Sequence, residues 1–460
     1  MSDTQNLQRD TGSSESVILI KDITAIEFDP PRVREKVDLL IRGNTIVAVG
    51  SGVGKDVAGT TLIDGKGRIA FPGIVCSHHH IYSALSRGIM APIGPTPDFM
   101  SILKNLWWRL DRAVDEEALR YSTLIASMDA LRCGSTAIID HHASPSLIEG
   151  SLDTVKEGME CLGIRGATCY EVSDRHGREK MLAGIEENRR FAKKVQADVD
   201  QGTHSRLVEA HIGGHAPCTL PEEAYEKMSE LIRETGRGLH LHVAEDRYDV
   251  SHSHAVYGED IVVRLDRHGM IDSRTLLVHG VHLSTEEIDI LNERDGFLIH
   301  NARSNMNNAV GYNHKLPKLR NLALGTDGIG ADMYAELQSA YFKHRDEGGC
   351  WWPGDFLGAL QAGNRILERC FDASFGRLEA GYVADVVIAQ YQAPTPFVPE
   401  NIAGHFVFGM NAGITETVIV DGLVVLDDGR FTTGIDEAAV TAKAREQGRL
   451  LWKRMEDISP

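Results

Sequence analysis

Eight short apolar runs in the middle of the chain constrain the fold more than any other feature. They are rich in β-branched residues, and successive runs start 21 to 62 residues apart, which leaves room for a helix between them. They lack the apolar and polar alternation of a half-exposed strand, so they suit strands buried on both faces of a parallel sheet. The runs are 74–77, 136–140, 164–169, 207–211, 239–243, 276–279, 297–300 and 322–326.

Eight strand–helix units predict an α/β fold of the (β/α)8 TIM-barrel type, which we place at residues 68–376. An open doubly wound sheet would more often have about six strands or fewer and a phosphate-binding glycine turn. No G-x-G-x-x-G sequence follows a strand here, and residues 50–56 have the wrong spacing for a Walker A loop. The barrel prediction therefore places an active site at the carboxyl ends of the strands.

Two further β-rich segments lie on either side of these runs. Residues 17–66 consist of short strands and turns, and 384–391 and 415–431 have the same character, with Asp421-Gly422 as a hairpin signal. We expect these distant segments to share one sheet. Residues 1–16 are polar and rich in small residues, which predicts a disordered tail.

Composition excludes several classes of partner. The 48 Lys and Arg residues against 66 Asp and Glu give a formal charge of −18, which argues against nucleic acid. The seven cysteines are odd in number and lack C-x-x-C spacing, as is typical of reduced cytoplasmic thiols. No apolar stretch is long enough to cross a membrane, and the first residues resemble neither a signal nor a transit peptide. We expect a cytoplasmic protein without nucleic-acid or membrane partners.

Metal-ligand residue types follow the predicted strands. The first run leads into His78 and His80, whose spacing places both side chains on one face of an extended backbone. Each such element alone is common in surfaces and cores, but together they occupy strand ends in barrel order, where barrel enzymes place their active sites. The residues concerned are His78, His80, His242, Glu245, His279 and Asp327.

Three imidazoles and one carboxylate, from His78, His80, His242 and Asp327, predict a catalytic metal site with one position left for water. A structural zinc site would be closed and would more often use cysteines. Such a site accepts zinc, ferrous iron or manganese, and we predict zinc. A metal of this kind activates a water molecule at neutral pH.

The neighbouring residues suit acid–base catalysis. Asp327, close to both metal and water, is placed to take the proton of the water, and Glu245 is placed to give a proton to a leaving nitrogen. His279 is placed to polarise a substituent of the attacked carbon or to shuttle the proton. This set predicts hydrolysis of a C–N bond at an sp² carbon.

In order along the chain, the motifs resemble those of the amidohydrolase superfamily, in the branch of the cytosine and guanine deaminases and the triazine hydrolases. They are PGIVCSHHH (72–80), HIGGHAPCT (211–219), HLHVAED (240–246), LLVHGVHLSTEEI (276–288), HNARSN (300–305) and LGTDG (324–328). More narrowly, CSHHHIYSALSRGIMA (76–91), IDHHASP (139–145) and HNARSNMNNAVGYNH (300–314) resemble the SsnA-type aminohydrolases, a group associated with the breakdown of purines and urate.

The resemblance implies the same roles. His78, His80, His242 and Asp327 correspond to the ligands of one divalent metal ion, and Glu245 and His279 to the acid–base pair. His215 matches a position that contacts the substrate in related deaminases. The resemblance further implies a small β-sandwich domain from 17–67 and 377–440. We also expect a C-terminal helix at 441–460 and, because barrels of this size usually self-associate, a homo-oligomer, either a dimer or a tetramer.

Arg303 stands where the related deaminases carry a small residue. Its guanidinium is suited to grip a carbonyl or carboxylate of the substrate through two parallel hydrogen bonds. The alternative is that Arg303 pairs with an acidic neighbour such as Asp332.

Two further pairs of residues are candidates for substrate contacts. One of His141 and His142, for which we name His142, is expected to line the pocket. One of Trp107 and Trp108, for which we name Trp107, is expected to stack on a flat heterocycle, while the other packs in a helix.

These features predict a metal-dependent amidohydrolase acting on a purine-related heterocycle, with deamination as its reaction. Hydrolytic opening of a ring amide or amidine is the alternative, because it uses the same activated water and differs only in which nitrogen leaves. A non-catalytic barrel is disfavoured because all six metal and acid–base positions are filled.

Overall fold

A computed structural model describes residues 16–54, 57, 59–201 and 207–460. The predicted tail at 1–16 lies outside this part of the chain, apart from its last residue. The strands are β1 (Val17–Phe28), β2 (Pro31–Arg42), β3 (Thr45–Gly50), β4 (Thr61–Asp64), β5 (Ile69–Pro72), β6 (Ile74–His79), β7 (Ser135–Asp140), β8 (Arg165–Thr168), β9 (Val208–Ala210), β10 (Ile212–Gly214), β11 (Leu239–Val243), β12 (Leu276–His279), β13 (Phe297–His300), β14 (Leu322–Leu324), β15 (Val386–Ala389), β16 (Thr415–Val420), β17 (Leu423–Asp427) and β18 (Arg430–Phe431).

The α-helices alternate with the strands in the middle of the chain and close it at the end. They are α1 (Phe99–Ile102), α2 (Trp108–Ala113), α3 (Glu116–Arg132), α4 (Ser151–Leu162), α5 (Arg178–Gln201), α6 (Glu222–Thr235), α7 (Arg247–Tyr257), α8 (Ile261–Arg267), α9 (Thr285–Glu293), α10 (Ala302–Asn307), α11 (Met333–Asp346), α12 (Pro353–Phe371), α13 (Ile402–Phe408) and α14 (Glu437–Glu456). Among the described residues, none of these helices is both long and apolar enough to cross a bilayer.

Strands β6 to β14 form a parallel barrel. They pair in the orders β6-β7-β8-β9 and β10-β11-β12-β13-β14, and β9 and β10 are two parts of one barrel position, interrupted at His211. The end of β14 adjoins β6, because the backbone N–H groups of Thr326 and Asp327 donate to the carbonyl of His78 at 2.9 and 3.1 Å. Each of the eight apolar runs overlaps a barrel strand.

A nine-stranded sheet joins the two ends of the chain. Its order is β18-β17-β16-β15-β5-β1-β2-β3, with β4 paired to β1. The junction is the antiparallel pair β5–β15, in which Pro72 lies opposite Val386. At the predicted hairpin, Asp421 and Gly422 both adopt positive φ, the conformation of a type I′ turn. The expectation of one shared sheet is therefore correct.

Buried apolar residues of the barrel strands form one cluster with residues of α12. Val75, Ala137 and Ile299 belong to a buried cluster that also includes Phe371 and Phe375, at and beyond the end of α12. This cluster therefore ties α12 to the barrel strands.

The last helix, α14, supports the long segment after β6. Nε1 of Trp452 donates to the carbonyl of Leu85 at 2.8 Å, and Nε of Arg109 donates to the carbonyl of Ile458 at 2.7 Å. The C-terminal residues therefore hold the region that carries the two predicted substrate-stacking tryptophans.

Candidate active site

Four side chains converge at the carboxyl end of the barrel. The ligand atoms of His78, His80, His242 and Asp327 all lie within 4.8 Å of one another. Nε2 of His78 is 3.3 Å from Nε2 of His242 and 3.5 Å from Oδ1 of Asp327, which is 2.9 Å from Nε2 of His80. The structure thus brings together the four residues predicted as metal ligands.

Each imidazole is held through its other nitrogen. Nδ1 of His80 donates to the carbonyl of His141 at 2.7 Å, and Nδ1 of His242 donates to the carbonyl of His215 at 2.8 Å. Nδ1 of His78 lies 2.9 Å from Nε2 of another histidine. Partners of this kind orient imidazoles in metal sites.

The electrostatics of the cluster suit a cation. Burial lowers the pKa of His78 and His242 well below the usual value, so these imidazoles are neutral and keep a lone pair. Burial lowers the pKa of His80, but the hydrogen bond to Asp327 and the negative charges of Asp327 and Glu171 together outweigh burial and raise that pKa to about 9. Burial raises the pKa of Asp327, but the neighbouring imidazoles of His78, His80 and His279 together outweigh burial and hold that pKa well below its usual value, so the carboxylate stays ionised. A metal that binds such a set displaces the proton that His80 and Asp327 share.

Glu245 and His279 lie beside this cluster. Nε2 of His279 is 3.5 Å from Oε2 of Glu245 and 4.0 Å from Oδ2 of Asp327. Nδ1 of His279 donates to Oδ1 of Asn305 at 2.8 Å, which turns Nε2 toward the two carboxyl groups. Burial raises the pKa of Glu245 to about 7, so this group can carry a proton near neutral pH.

The backbone at the strand ends adopts an unusual conformation. Ala244, His279 and Asp327 have φ values of 46°, 67° and 53°, in the left-handed region that costs an L-residue about 1–2 kcal/mol. Such conformations are concentrated at functional sites, where they re-aim side chains. Here they turn His279 and Asp327 toward a common point at the mouth of the barrel.

A cavity with about 780 Å³ of empty space, part of it open to solvent, lies above these residues. His80, His242, Glu245, His279 and Asp327 line its floor. Its walls are largely aromatic or apolar, and they include Phe99, Leu103, Trp107, Trp108 and Tyr248. This mixture of apolar walls with a few polar groups is typical of a small-molecule site.

The structure places two of the four predicted substrate contacts in this cavity. His215 lines it, with Nδ1 2.8 Å from Oγ1 of Thr219. Trp107 lines it as well, on the π-helical turn Leu103–Trp107, and so does Trp108, so both tryptophans face the cavity.

The other two predicted contacts lie outside the cavity lining. Nε of Arg303 donates to Oε2 of Glu336 at 2.7 Å, and Nη2 donates to the carbonyl of Gly330 at 2.8 Å. Arg303 therefore pairs with an acidic neighbour, which was the alternative to a substrate contact, and the neighbour is Glu336 and not Asp332. His142 is fully buried, with Nε2 2.7 Å from Oγ of Ser144, so it packs behind the site.

The cavity also contains a charged cluster that the sequence analysis missed. Nη2 of Arg175 donates to Oε1 of Glu171 at 2.7 Å, and Nη1 lies 3.5 Å from Oδ2 of Asp111. Tyr82 donates to Oδ1 of Asp111 at 2.7 Å, and the guanidinium lies over the ring of Trp108. Glu171 follows β8 closely, so the strand-end rule could have identified it.

Comparison with known proteins agrees with the motifs. The model of the amidohydrolase family matches residues 69–425. This chain belongs to the amidohydrolase family. A 5'-deoxyadenosine deaminase from Methanococcus maripaludis is 30% identical to this amidohydrolase over 427 residues, which cover 90% of this chain and 96% of that protein. A 5-methylthioadenosine/S-adenosylhomocysteine deaminase from Syntrophomonas wolfei is 30% identical over 431 residues, which cover 91% and 95%.

A solved structure supports the fold of this amidohydrolase. The crystal structure of an adenosine deaminase from Xanthomonas campestris with bound zinc superposes with a TM-score of 0.80 at 22% identity, covering 96% of this chain and 100% of that one. The family and the deaminase relatives identify the protein as a hydrolase of carbon–nitrogen bonds other than peptide bonds. The family and the enzyme class predicted from the motifs are thereby confirmed.

Proposed function

We propose that this amidohydrolase is a metal-dependent deaminase of a purine-related heterocycle, with an adenosine-type nucleoside as the first candidate substrate. The observation that carries the proposal is the convergence of three imidazoles and a carboxylate beside a second carboxyl group and a fourth imidazole, on the floor of one cavity. The 5'-deoxyadenosine and 5-methylthioadenosine/S-adenosylhomocysteine deaminases among the relatives support this substrate class.

The donor set fits a divalent metal that prefers nitrogen and oxygen ligands, and we propose zinc, with ferrous iron or manganese as alternatives. His78, His80, His242 and Asp327 would hold one ion per subunit. When bound, the ion supplies Lewis acidity that makes water a nucleophile near neutral pH. The zinc in the X. campestris adenosine deaminase supports this choice.

The chain's own groups would carry the protons. Water adds to the ring carbon that bears the amino group, and the ionised Asp327 accepts a proton from that water. Glu245, which burial keeps protonated up to about pH 7, gives a proton to the amino group, and the C–N bond breaks so that this group leaves as ammonia. The proton taken up by Asp327 restores Glu245, and the proton left on the added hydroxyl moves to the ring nitrogen. His279, between the two carboxyl groups, orients them and can pass the proton between them. The products are a ring carbonyl and ammonia.

The walls of the cavity would hold the heterocycle. Trp107, Trp108 and Tyr248 offer ring faces to a flat substrate. His215 adds a polar contact at the floor. These side chains would orient the substrate while the apolar walls exclude water.

Ring opening has less support than deamination. Two residues that would suit the carboxylate formed by ring opening, Arg303 and His142, are engaged elsewhere, since the guanidinium is bound to Glu336 and the imidazole to Ser144. No other cation among the described residues that line the cavity replaces it except Arg175, which already pairs with Glu171 and Asp111.

The test is to incubate the zinc-loaded protein with adenosine-type nucleosides, free purines, pyrimidines and hydantoins, and to follow free ammonia and product mass together. Ammonia with replacement of an amino group by oxygen supports deamination. Addition of a whole water without ammonia would instead indicate ring opening, and no reaction with any compound would contradict the proposal.

We further propose the remaining features of the protein. The free cysteines support a reducing, cytoplasmic environment. The sheet shared by the chain ends supports a small β-sandwich domain from 17–67 and 377–440, beside the barrel at 68–376, with a C-terminal helix at 441–460, where α14 spans Glu437–Glu456. Purine breakdown as a pathway and a homo-oligomeric state follow from the resemblance alone.

A further inference from the structure

Two of the three imidazoles in the candidate metal centre have an unambiguous tautomer. Nδ1 of His80 faces the carbonyl of His141, and Nδ1 of His242 faces the carbonyl of His215. A carbonyl oxygen only accepts hydrogen bonds, so both Nδ1 atoms carry hydrogen. Nε2 of His242 therefore presents a lone pair to the centre, and Nε2 of His80 does so once the proton that it shares with Asp327 is displaced. Nδ1 of the third imidazole, His78, does not face a carbonyl, so its tautomer is not fixed in this way.

His78 is held by another histidine. Its Nδ1 lies 2.9 Å from Nε2 of His240, and an imidazole nitrogen can either donate or accept. Nδ1 of His240 faces Sγ of Cys169 at 3.8 Å, and that thiol donates to the carbonyl of Asp140 at 3.7 Å. Burial raises the pKa of Cys169, so the sulfur keeps its hydrogen. This chain of bonds ends on a carbonyl that only accepts, so each bond runs from His78 toward Asp140.

We propose that His240 and Cys169 are positioning residues, which fix the tautomer of His78 so that its Nε2 presents a lone pair to the metal. His78, His240 and Cys169 are fully buried, so solvent does not supply another acceptor. Without His240, the hydrogen of His78 can move to Nε2 and block the metal. Neither His240 nor Cys169 lines the cavity.

This inference rests on the proposed metal centre, and the experiment separates the two. The zinc dissociation constant is measured by competition with a chelator, which needs no turnover. His240→Leu removes the acceptor, and we expect zinc affinity to fall about 10–100-fold, as for other residues that orient metal ligands. His240→Gln places an amide oxygen near the position of Nε2, and we expect it to restore most of the affinity.

Two controls accompany these variants. His300→Leu removes another buried histidine, at the end of β13 and outside the four-ligand cluster, and we expect unchanged zinc affinity. Cys169→Val removes the acceptor for His240, whereas Cys169→Ser keeps a group that can both accept and donate. We expect the valine variant to bind zinc more weakly than the serine variant. Circular dichroism of the metal-free proteins checks folding, and the Cys169 pair provides the test if His240→Leu does not fold.

The outcomes distinguish the two ideas. If the wild-type protein does not bind zinc, iron or manganese, the metal centre and the inference both fail. If the wild type binds zinc and His240→Leu binds it equally tightly, only the positioning role is wrong. Equal losses in His240→Leu and His240→Gln would also overturn it, because the hydrogen bond would then not be the cause.

Discussion

Glu245 illustrates how one residue is given its role by its surroundings, since burial raises its pKa to about 7 while it stays outside the four-ligand cluster. We expect Glu245→Gln to keep the metal and the bond to Asn308, but to lose the acidic proton. Turnover should fall by about 10²–10⁴-fold, the usual contribution of general acid–base catalysis. Steady-state kinetics and metal analysis check this, with the exposed Glu286→Gln as the matched control. Near-native kcat in Glu245→Gln would mean that the assigned role is wrong.

Arg303 shows the opposite case, because a residue predicted to bind the substrate instead forms an ion pair with Glu336. Its partner Glu336 has a fully buried side chain, so Arg303→Ala leaves an unpaired charge in the interior. Removing one partner of a buried pair costs about 3–5 kcal/mol. We expect a clear loss of stability in guanidinium unfolding with little change in KM, and a partial recovery when Glu336→Leu is added. A large rise in KM at unchanged stability would show instead that Arg303 contacts the substrate.

At the scale of elements, the barrel strands were predictable because buried parallel strands are continuous apolar runs. Predicted runs 239–243, 276–279 and 297–300 have the same bounds as β11, β12 and β13. The break at His211 between β9 and β10 could not be predicted in this way, because nothing in the apolar pattern marks it. The metal-ligand set was also predictable, since strand ends meet at one rim, whereas Arg175 and Asp111 approach each other only through the packing of loops and helices distant in sequence.

Gly325, which follows β14 and lies two residues before Asp327, packs closely against the metal ligand His78. A Cβ on Gly325 would lie 2.5 Å from Oδ1 of Asn301 and 2.8 Å from the backbone N of His78. We expect Gly325→Ala to displace His78, to cost about 1–3 kcal/mol through overpacking, and to weaken metal binding. Gly358→Ala on α12 is the control, because its Cβ meets open space and should stabilise the helix by about 0.5–1 kcal/mol. Thermal unfolding and chelator competition measure both effects, and wild-type metal affinity in Gly325→Ala would contradict this account.

At the scale of the whole molecule, contacts between residues distant in sequence hold the barrel and the region around the site in place. A buried ion pair between Arg165 at the start of β8 and Asp385 before β15 joins the barrel to the nine-stranded sheet. The C-terminal residues also hold the segment after β6 through Trp452 and Arg109. The segment that carries the tryptophans of the cavity wall therefore depends on residues at the C-terminal end of the sequence.

The charge of the molecule bears on which substrates enter. The formal charge is −18, and the described cavity lining has one arginine, Arg175, against a larger set of carboxyl groups. These carboxyl groups belong to Asp111, Glu171, Glu245, Asp246, Asp249 and Asp327. Glu245 is protonated up to about pH 7 and Asp327 would face the metal ion, but the remaining carboxyl groups and the overall charge of −18 slow the approach of anions and disfavour an added phosphate in the cavity.

We therefore expect a nucleoside monophosphate to have a kcat/KM lower by on the order of tenfold or more than its parent nucleoside. An uncharged 5'-substituent of similar size controls for bulk and should be accepted far better than the phosphate. The Debye length falls to about 10 Å at 0.1 M salt. Raising the ionic strength should therefore reduce the difference in kcat/KM between the nucleotide and the nucleoside. Equal kcat/KM values for the nucleotide and the nucleoside at low salt would mean that the carboxyl groups are neutralised in the working enzyme. A difference in kcat/KM that does not depend on salt would mean that the shape of the cavity, and not its charge, excludes the phosphate.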